Sequence, residues 1–281
     1  MLKFYIVVFL VITHNSTWAA HPLNFWDIYN VLPEEESLLT MGVGSETEFK
    51  TKSIKTLIWN IKKAKLSNWH QEFIYFSKDK DLVLLQEAYT SARFTSTLKV
   101  LPKYRWDLGI SFIENKKNNA TGTMIGSYVK PITVEVEHSP DFEPLIETPK
   151  SMTVAKYKTP QAEEELLVIS VHAINFKGLE SFTRQMDEAE EILSIHKGPI
   201  LFAGDFNTWN RARTTHLIEL CKKYNLEEVK FQRDDLRTKF GKYYLDHSFT
   251  RGLKVTMAQV LPSNNGSDHS PLFLEFSIHK D

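Results

Sequence analysis

Two short runs, Leu82-Val83-Leu84-Leu85 and Ile200-Leu201-Phe202-Ala203, constrain this chain more than any other feature. A strand with one wet face alternates apolar and polar residues. These runs do not alternate, so each must be covered on both faces. Further strand candidates occupy residues 54–59, 166–172 and 272–278. Helical spacing lies between them. Ser67 or Asn68 can cap a helix whose apolar face is Trp69, Phe73 and Phe76. Leu179, Phe182, Met186, Ala189, Ile192 and Leu193 form a second such face, stopped by Gly198-Pro199. Residues 211–224 form a third. Strands covered by helices predict a layered α/β domain. The proline-rich stretch over about 130–165 reads as a loop-rich insertion or edge hairpins.

The chain has 281 residues, 42% hydrophobic and 25% charged, which is enough to build one large core. Its formal net charge of -1 excludes a basic field over the whole molecule, so a nucleic-acid substrate would need a local basic groove. A single cysteine, Cys221, rules out an intramolecular disulfide and falls at helical spacing with Leu217, as a core residue would. At the start, Lys3 precedes an unbroken apolar run from Phe4 to Ile12, followed by small residues at Ala19 and Ala20. That run is too short to span a bilayer, so residues 1–20 read as an export leader and predict a periplasmic or secreted protein. Residues 21–52 read as an irregular lead-in, with Glu34-Glu35-Glu36 as a solvated helix start, and 53–281 as the main folded domain.

Chemistry-bearing residues follow the predicted strands. Asn60 follows Trp59, Gln86-Glu87 follows Leu85, His172 and Asn175 follow Val171, and Asp205 and Asn207 follow Gly204. Asp246-His247 follows Leu245, and Asp268-His269 precedes the last strand. Any one of these residues is an ordinary turn residue. Their repetition at strand ends is not something turns require. Hard carboxylate and amide oxygens favour Mg²⁺ or Mn²⁺ over zinc. Such an ion polarises a phosphoryl oxygen, and a histidine paired with a carboxylate handles the proton of an attacking water.

Trp59-Asn60, Gln86-Glu87, His172 with Asn175, Gly204-Asp205-Phe206-Asn207, Leu245-Asp246-His247 and Ser267-Asp268-His269 occur in the order found in the endonuclease/exonuclease/phosphatase superfamily. The chain resembles that superfamily over about residues 52–279, and resembles in particular a bacterial branch of exported or membrane-associated members. The resemblance implies a four-layer α/β sandwich, two mainly antiparallel sheets packed face to face with helices outside. It implies Glu87 as the principal metal ligand, with Asn60 beside it and Asp268 sharing the ion, which would be Mg²⁺ or Mn²⁺, with Ca²⁺ an alternative. It implies Asp205 and Asn207 as the pair positioning water and phosphate, and His269 oriented by Asp246 as the histidine facing the scissile phosphate. His172 would be the second histidine, and Asn175 and Asn60 would contact substrate. The abasic-site branch carries an acid two positions after the Asn, where this chain has Lys62, so that branch is disfavoured. Lys62 or Lys63 could hold phosphate instead, and Arg211 and Arg213 could line a basic groove. His247 reads as structural.

The expected activity is metal-dependent hydrolysis of a phosphoester by water, most simply a phosphodiesterase or nuclease acting as a monomer. A sphingomyelinase-like lipid phosphodiesterase, a phosphatase, and a non-catalytic binding protein that kept the fold are the rivals. A lipid enzyme should carry an exposed apolar hairpin; none is clear in the sequence, and the 131–160 region is where one could lie.

Overall fold

A computed structural model describes residues 28–144, 146–160, 162–231 and 235–278. The predicted leader lies outside the described residues. In chain order the strands are β1 (Tyr29–Asn30), β2 (Leu38–Gly42), β3 (Ile54–Asn60), β4 (Leu82–Tyr89), β5 (Arg105–Glu114), β6 (Asn119–Ser127), β7 (Thr133–His138) and β8 (Ser151–Tyr157). They continue with β9 (Leu166–His172), β10 (Ile200–Asp205), β11 (Glu227–Glu228), β12 (Lys239–Phe240), β13 (Tyr243–Tyr244), β14 (Asp246–Arg251), β15 (Leu253–Val260) and β16 (Leu272–Ile278). The helices are α1 (Trp69–Ser77), α2 (Ala92–Leu98), α3 (Leu179–Ile195) and α4 (Arg211–Lys223).

One sheet runs β1-β5-β6-β4-β3-β16-β15, with β2 also on β5, and the other runs β11-β14-β10-β9-β8-β7. Pairing is antiparallel except for β3 with β4 and β9 with β10, so each sheet is mixed. Alternate residues of each central strand enter different cores, as double-sided burial requires. In β10, Leu201 and Ala203 join Ile58, Leu84, Ile125 and Val168 between the sheets. Ile200 and Phe202 face outward and meet Phe182 and Met186 of α3 and Leu217 of α4. On the other sheet, Leu57, Trp59, Val83 and Leu85 meet Trp69 and Phe73 of α1 and Phe94 of α2. The order is therefore helix, sheet, sheet, helix, a four-layer α/β sandwich.

Some local expectations change. Asn68 does cap α1, but without a side-chain bond to the helix; its Nδ2 donates to Asn264 O at 2.6 Å instead. Leu179, expected on the buried face of α3, is 42% exposed. The stretch over 130–165 is no insertion. Its strand β8 is buried between β7 and β9, and only β7 is an edge. The lead-in is not wholly irregular, because β1 and β2 pair with β5. Glu34–Glu36 forms an exposed 3₁₀ turn. Cys221 is buried against α3 and the second sheet, and burial pushes its thiol pKa well up.

Candidate active site

Three neighbouring strands of the second sheet deliver side chains to one point. Asp205, at the end of β10, is in register with His172 at the end of β9 and with Asp246 at the start of β14. Gly204 makes this approach geometrically feasible. Its φ is +146°, and a Cβ there would lie 2.1 Å from the carbonyl oxygen of Val171. The first sheet contributes Asn60, whose parallel partner on β4 is Gln86, and then Glu87. Glu87 sits at φ +54° where the β4–β6 register shifts between Leu85 and Ala88, a bulge that re-aims the carboxylate. The loop before β16 brings His269. It is tied to β3 by Trp59 Nε1 donating to His269 O at 2.8 Å and by Ser267 Oγ donating to Asn60 O at 2.6 Å.

Asp205 is the centre. Its Oδ2 accepts from Asn60 Nδ2 at 2.9 Å and its Oδ1 from the Asn207 backbone N–H at 3.0 Å. His172 Nε2 and His269 Nε2 stand 3.6 and 3.7 Å from Oδ2. Burial pushes the Asp205 pKa up to about 6; His269 pulls against that and Asp246 adds to it. His269 Nδ1 lies 3.0 and 2.9 Å from the two oxygens of Asp246. Burial alone would lower the His269 pKa, but Asp246 and then Asp205 override it and raise it to about 10. His269 is therefore a charged imidazolium at neutral pH. His172 is the opposite case. Burial, with Lys150 and His269 nearby, pushes its pKa well below 6.5, so it is neutral and its contact with Asp205 is not an ion pair.

Asp205, Asp246 and His269 each offer a ligand atom within 4.8 Å of the others, a spacing that suits a metal ion. His269 Nδ1 is already engaged by Asp246, so the trio as arranged is better suited to moving a proton. The expected ligands divide. Among the described residues the Glu87 carboxylate makes no hydrogen bond, and it stands one residue beyond the register partner of Asn60. A carboxylate free of hydrogen bonds, on the strand paired with that of Asn60, fits Mg²⁺ or Mn²⁺. Asp268 is engaged by a lysine: its Oδ2 pairs with Lys62 Nζ at 2.7 Å, with both side chains about half exposed.

The other expected residues fall into place around this centre. Asn207 Nδ2 donates to Ala173 O at 2.9 Å and so joins the ends of β9 and β10. Asn175 lies at the rim, its N–H on Glu143 Oε1 at 2.9 Å and its Oδ1 accepting from Phe176 N at 2.9 Å. His247 is structural, held between Glu228 Oε1 and Thr208 Oγ1 at 2.8 Å each. Arg213 does not line a groove. It is fully buried, and its guanidinium donates to the carbonyls of Ile174, Asn207 and Lys177 at 2.8, 2.9 and 3.2 Å. It thereby pins the loops after β9 and β10. Sequence reading missed this, and it also missed Glu143 and Lys150, because no local pattern marks residues that meet across loops. A two-stranded hairpin, β12–β13, leads into Asp246 and exposes Phe240, with Leu236 exposed just before it.

The model of the Endonuclease/Exonuclease/phosphatase family matches residues 57–269. A UPF0294 protein of Vibrio campbellii is 36% identical over 236 residues, covering 82% of this chain and 79% of that protein. Among solved structures, an endonuclease/exonuclease/phosphatase from Beutenbergia cavernae superposes with a TM-score of 0.64 at 14% identity, covering 82% of this chain and 72% of that one. TDP2 of D. rerio, in complex with a single strand DNA product, superposes with a TM-score of 0.59 at 15% identity, covering 81% of this chain and 100% of that one. At these identities the two structures bear on the fold alone.

Proposed function

The chain belongs to the endonuclease/exonuclease/phosphatase family, and from that premise we propose that it is a divalent-metal-dependent phosphodiesterase in which water attacks the phosphorus. The observation that carries the reading is the Asp246–His269–Asp205 cluster, where an imidazolium and a carboxylate of raised pKa meet. Glu87 and Asn60 would hold Mg²⁺ or Mn²⁺, which supplies charge to polarise the phosphoryl oxygens. Asp205, poised near neutrality, accepts the proton of the attacking water. His269, kept charged by Asp246, donates to a non-bridging oxygen and stabilises the negative charge that builds there. Neutral His172 offers its N–H to the leaving oxygen. Asn207 and Arg213 hold the two loops in place, and Asn175 contacts substrate at the rim. The protein acts as an exported monomer, with residues 1–20 as its leader.

A second reading, a lipid phosphodiesterase, is favoured by one observation. Phe240 and Leu236 are 64% and 67% exposed on the hairpin side of the site, with Lys239 and Lys242 alongside.

Hydrolysis of bis(p-nitrophenyl) phosphate with Mg²⁺ or Mn²⁺ tests the chemistry. Asp205→Ala and His269→Ala should each lower kcat by roughly a hundredfold or more. An active wild type whose two variants keep full activity would overturn the assignment.

A further inference from the structure

The mechanism above leaves two cations unused, and they converge. Lys63 lies on a turn whose three non-glycine residues, Lys62, Lys63 and Ala64, all have left-handed φ, at 47°, 55° and 55°. Left-handed backbone is unfavourable for an L-residue, so such a turn persists only where its surroundings impose it. The turn directs Lys63 inward. Its Nζ stands 5.2 Å from the centre of the Phe112 ring, and among the described residues it has no hydrogen-bond acceptor. Burial lowers its pKa, Glu87 opposes that, Lys65 and Lys150 lower it further, and Glu114 opposes least.

Lys150 arrives from the other sheet. The residue after it, Ser151, and the residue before Phe112, Ser111, are bonded across the sandwich, Ser111 Oγ to Ser151 Oγ at 2.9 Å. That bridge places Lys150 at the same end of the molecule as Phe112, and hence as Lys63. The Lys150 side chain is 14% exposed and meets Glu143 Oε2 at 3.3 Å, longer than a tight charged hydrogen bond. Glu143 in turn holds the N–H of Asn175, at the catalytic rim. Lys150 also acts electrostatically on His172, as does Lys63. Two ammonium groups from opposite sheets thus act on each other beside the catalytic histidines, Lys150 paired with Glu143 and Lys63 offset only through space by Glu87. A largely buried ammonium with no acceptor at hydrogen-bond distance has capacity left for an anionic ligand.

We propose that Lys63 and Lys150 form a second anion site next to the catalytic centre, one that takes a phosphate group adjoining the scissile phosphodiester. This rests on the phosphodiesterase reading and narrows it to substrates with at least two neighbouring phosphates. A nucleic-acid backbone and a phosphorylated lipid headgroup share that chemistry.

Two measurements test it. The first is titration of the metal-free protein with inorganic pyrophosphate, followed calorimetrically. Wild type should bind, and Lys63→Met and Lys150→Met should each weaken binding ten- to a hundredfold, the worth of a charge-assisted contact. Lys63→Arg and Lys150→Arg should keep most of it, and thermal melts confirm that each variant is folded. The second compares kcat/KM for the thymidine dinucleotide with and without a 5′-phosphate, and for glycerophosphoinositol with and without a ring phosphate. The extra phosphate should raise kcat/KM about tenfold in one pair, identifying the source, and each Met variant should bring that ratio towards one. Pyrophosphate affinity equal in wild type and both variants overturns the proposal. Binding that depends on both lysines in a protein that hydrolyses nothing upholds the anion site and removes the phosphodiesterase reading instead.

Discussion

At the scale of residues, one buried carboxylate governs the site. Asp205 lacks the solvent that would stabilise its charge, so it holds a proton to about pH 6, while Asp246 holds a proton on His269 to about pH 10. Water attack needs Asp205 ionised and His269 charged. The rate of phosphodiester hydrolysis should therefore rise through about pH 6 and fall through about pH 10, a bell measurable in kcat/KM profiles. Asp246→Asn removes the largest influence raising the His269 pKa. It should move the alkaline limb down by more than one pH unit, and NMR titration of the His269 ring should move with it. An alkaline limb unchanged in that variant would assign the limb to another group. Of these features, the sequence displayed the residue types and their order. It did not display which histidine is charged. His172 and His269 both face Asp205, but only His269 has a second carboxylate behind it, and that depends on β14 lying next to β10.

At the scale of elements, the central strands were legible because their apolar runs leave no face for water. β5 and β6 were not. Asn119–Ser127 carries Gly122 and Gly126, which in isolation read as turn signals. In the sheet, Gly126 makes room for the ring of Trp106, 2.1 Å from where a Cβ would sit. Gly204 has the same kind of cause, and Gly204→Ala should destabilise the protein by about 2 kcal/mol or more, read as a lower urea midpoint. α4 was legible as a helix, but the role of Arg213 was not, because its partners are carbonyls of two distant loops. Arg213→Met removes three donors to buried carbonyls. It should lower both thermal stability and kcat, and millimolar guanidinium should restore part of the kcat if loop placement is what was lost. A stability loss with kcat intact would confine Arg213 to a structural role.

At the scale of the whole molecule, stability and activity share the same charges. His269 has its pKa raised in the folded state, so its stabilising contribution is complete below pH 6.5 and is lost as pH rises through about 10. Asp205 is an acid with a raised pKa, so the native state loses stability as pH rises from 3.8 through about 6. Both act in one direction. The melting temperature should decline between about pH 6 and pH 10, and the decline should be shallower in His269→Ala. What the sequence alone determined is the layered α/β class, the double-sided burial of its central strands and the placing of acids, amides and histidines at their ends. Those are local consequences of periodicity and side-chain chemistry. Tertiary structure alone decided that Asp246 backs His269, that Lys62 takes up Asp268, that Arg213 is buried, and that Lys63 and Lys150 come within electrostatic reach of each other. Each of these joins residues from separate loops or strands, and their proximity is created by strand order and sheet-on-sheet packing, neither of which leaves a mark in a stretch of neighbouring residues.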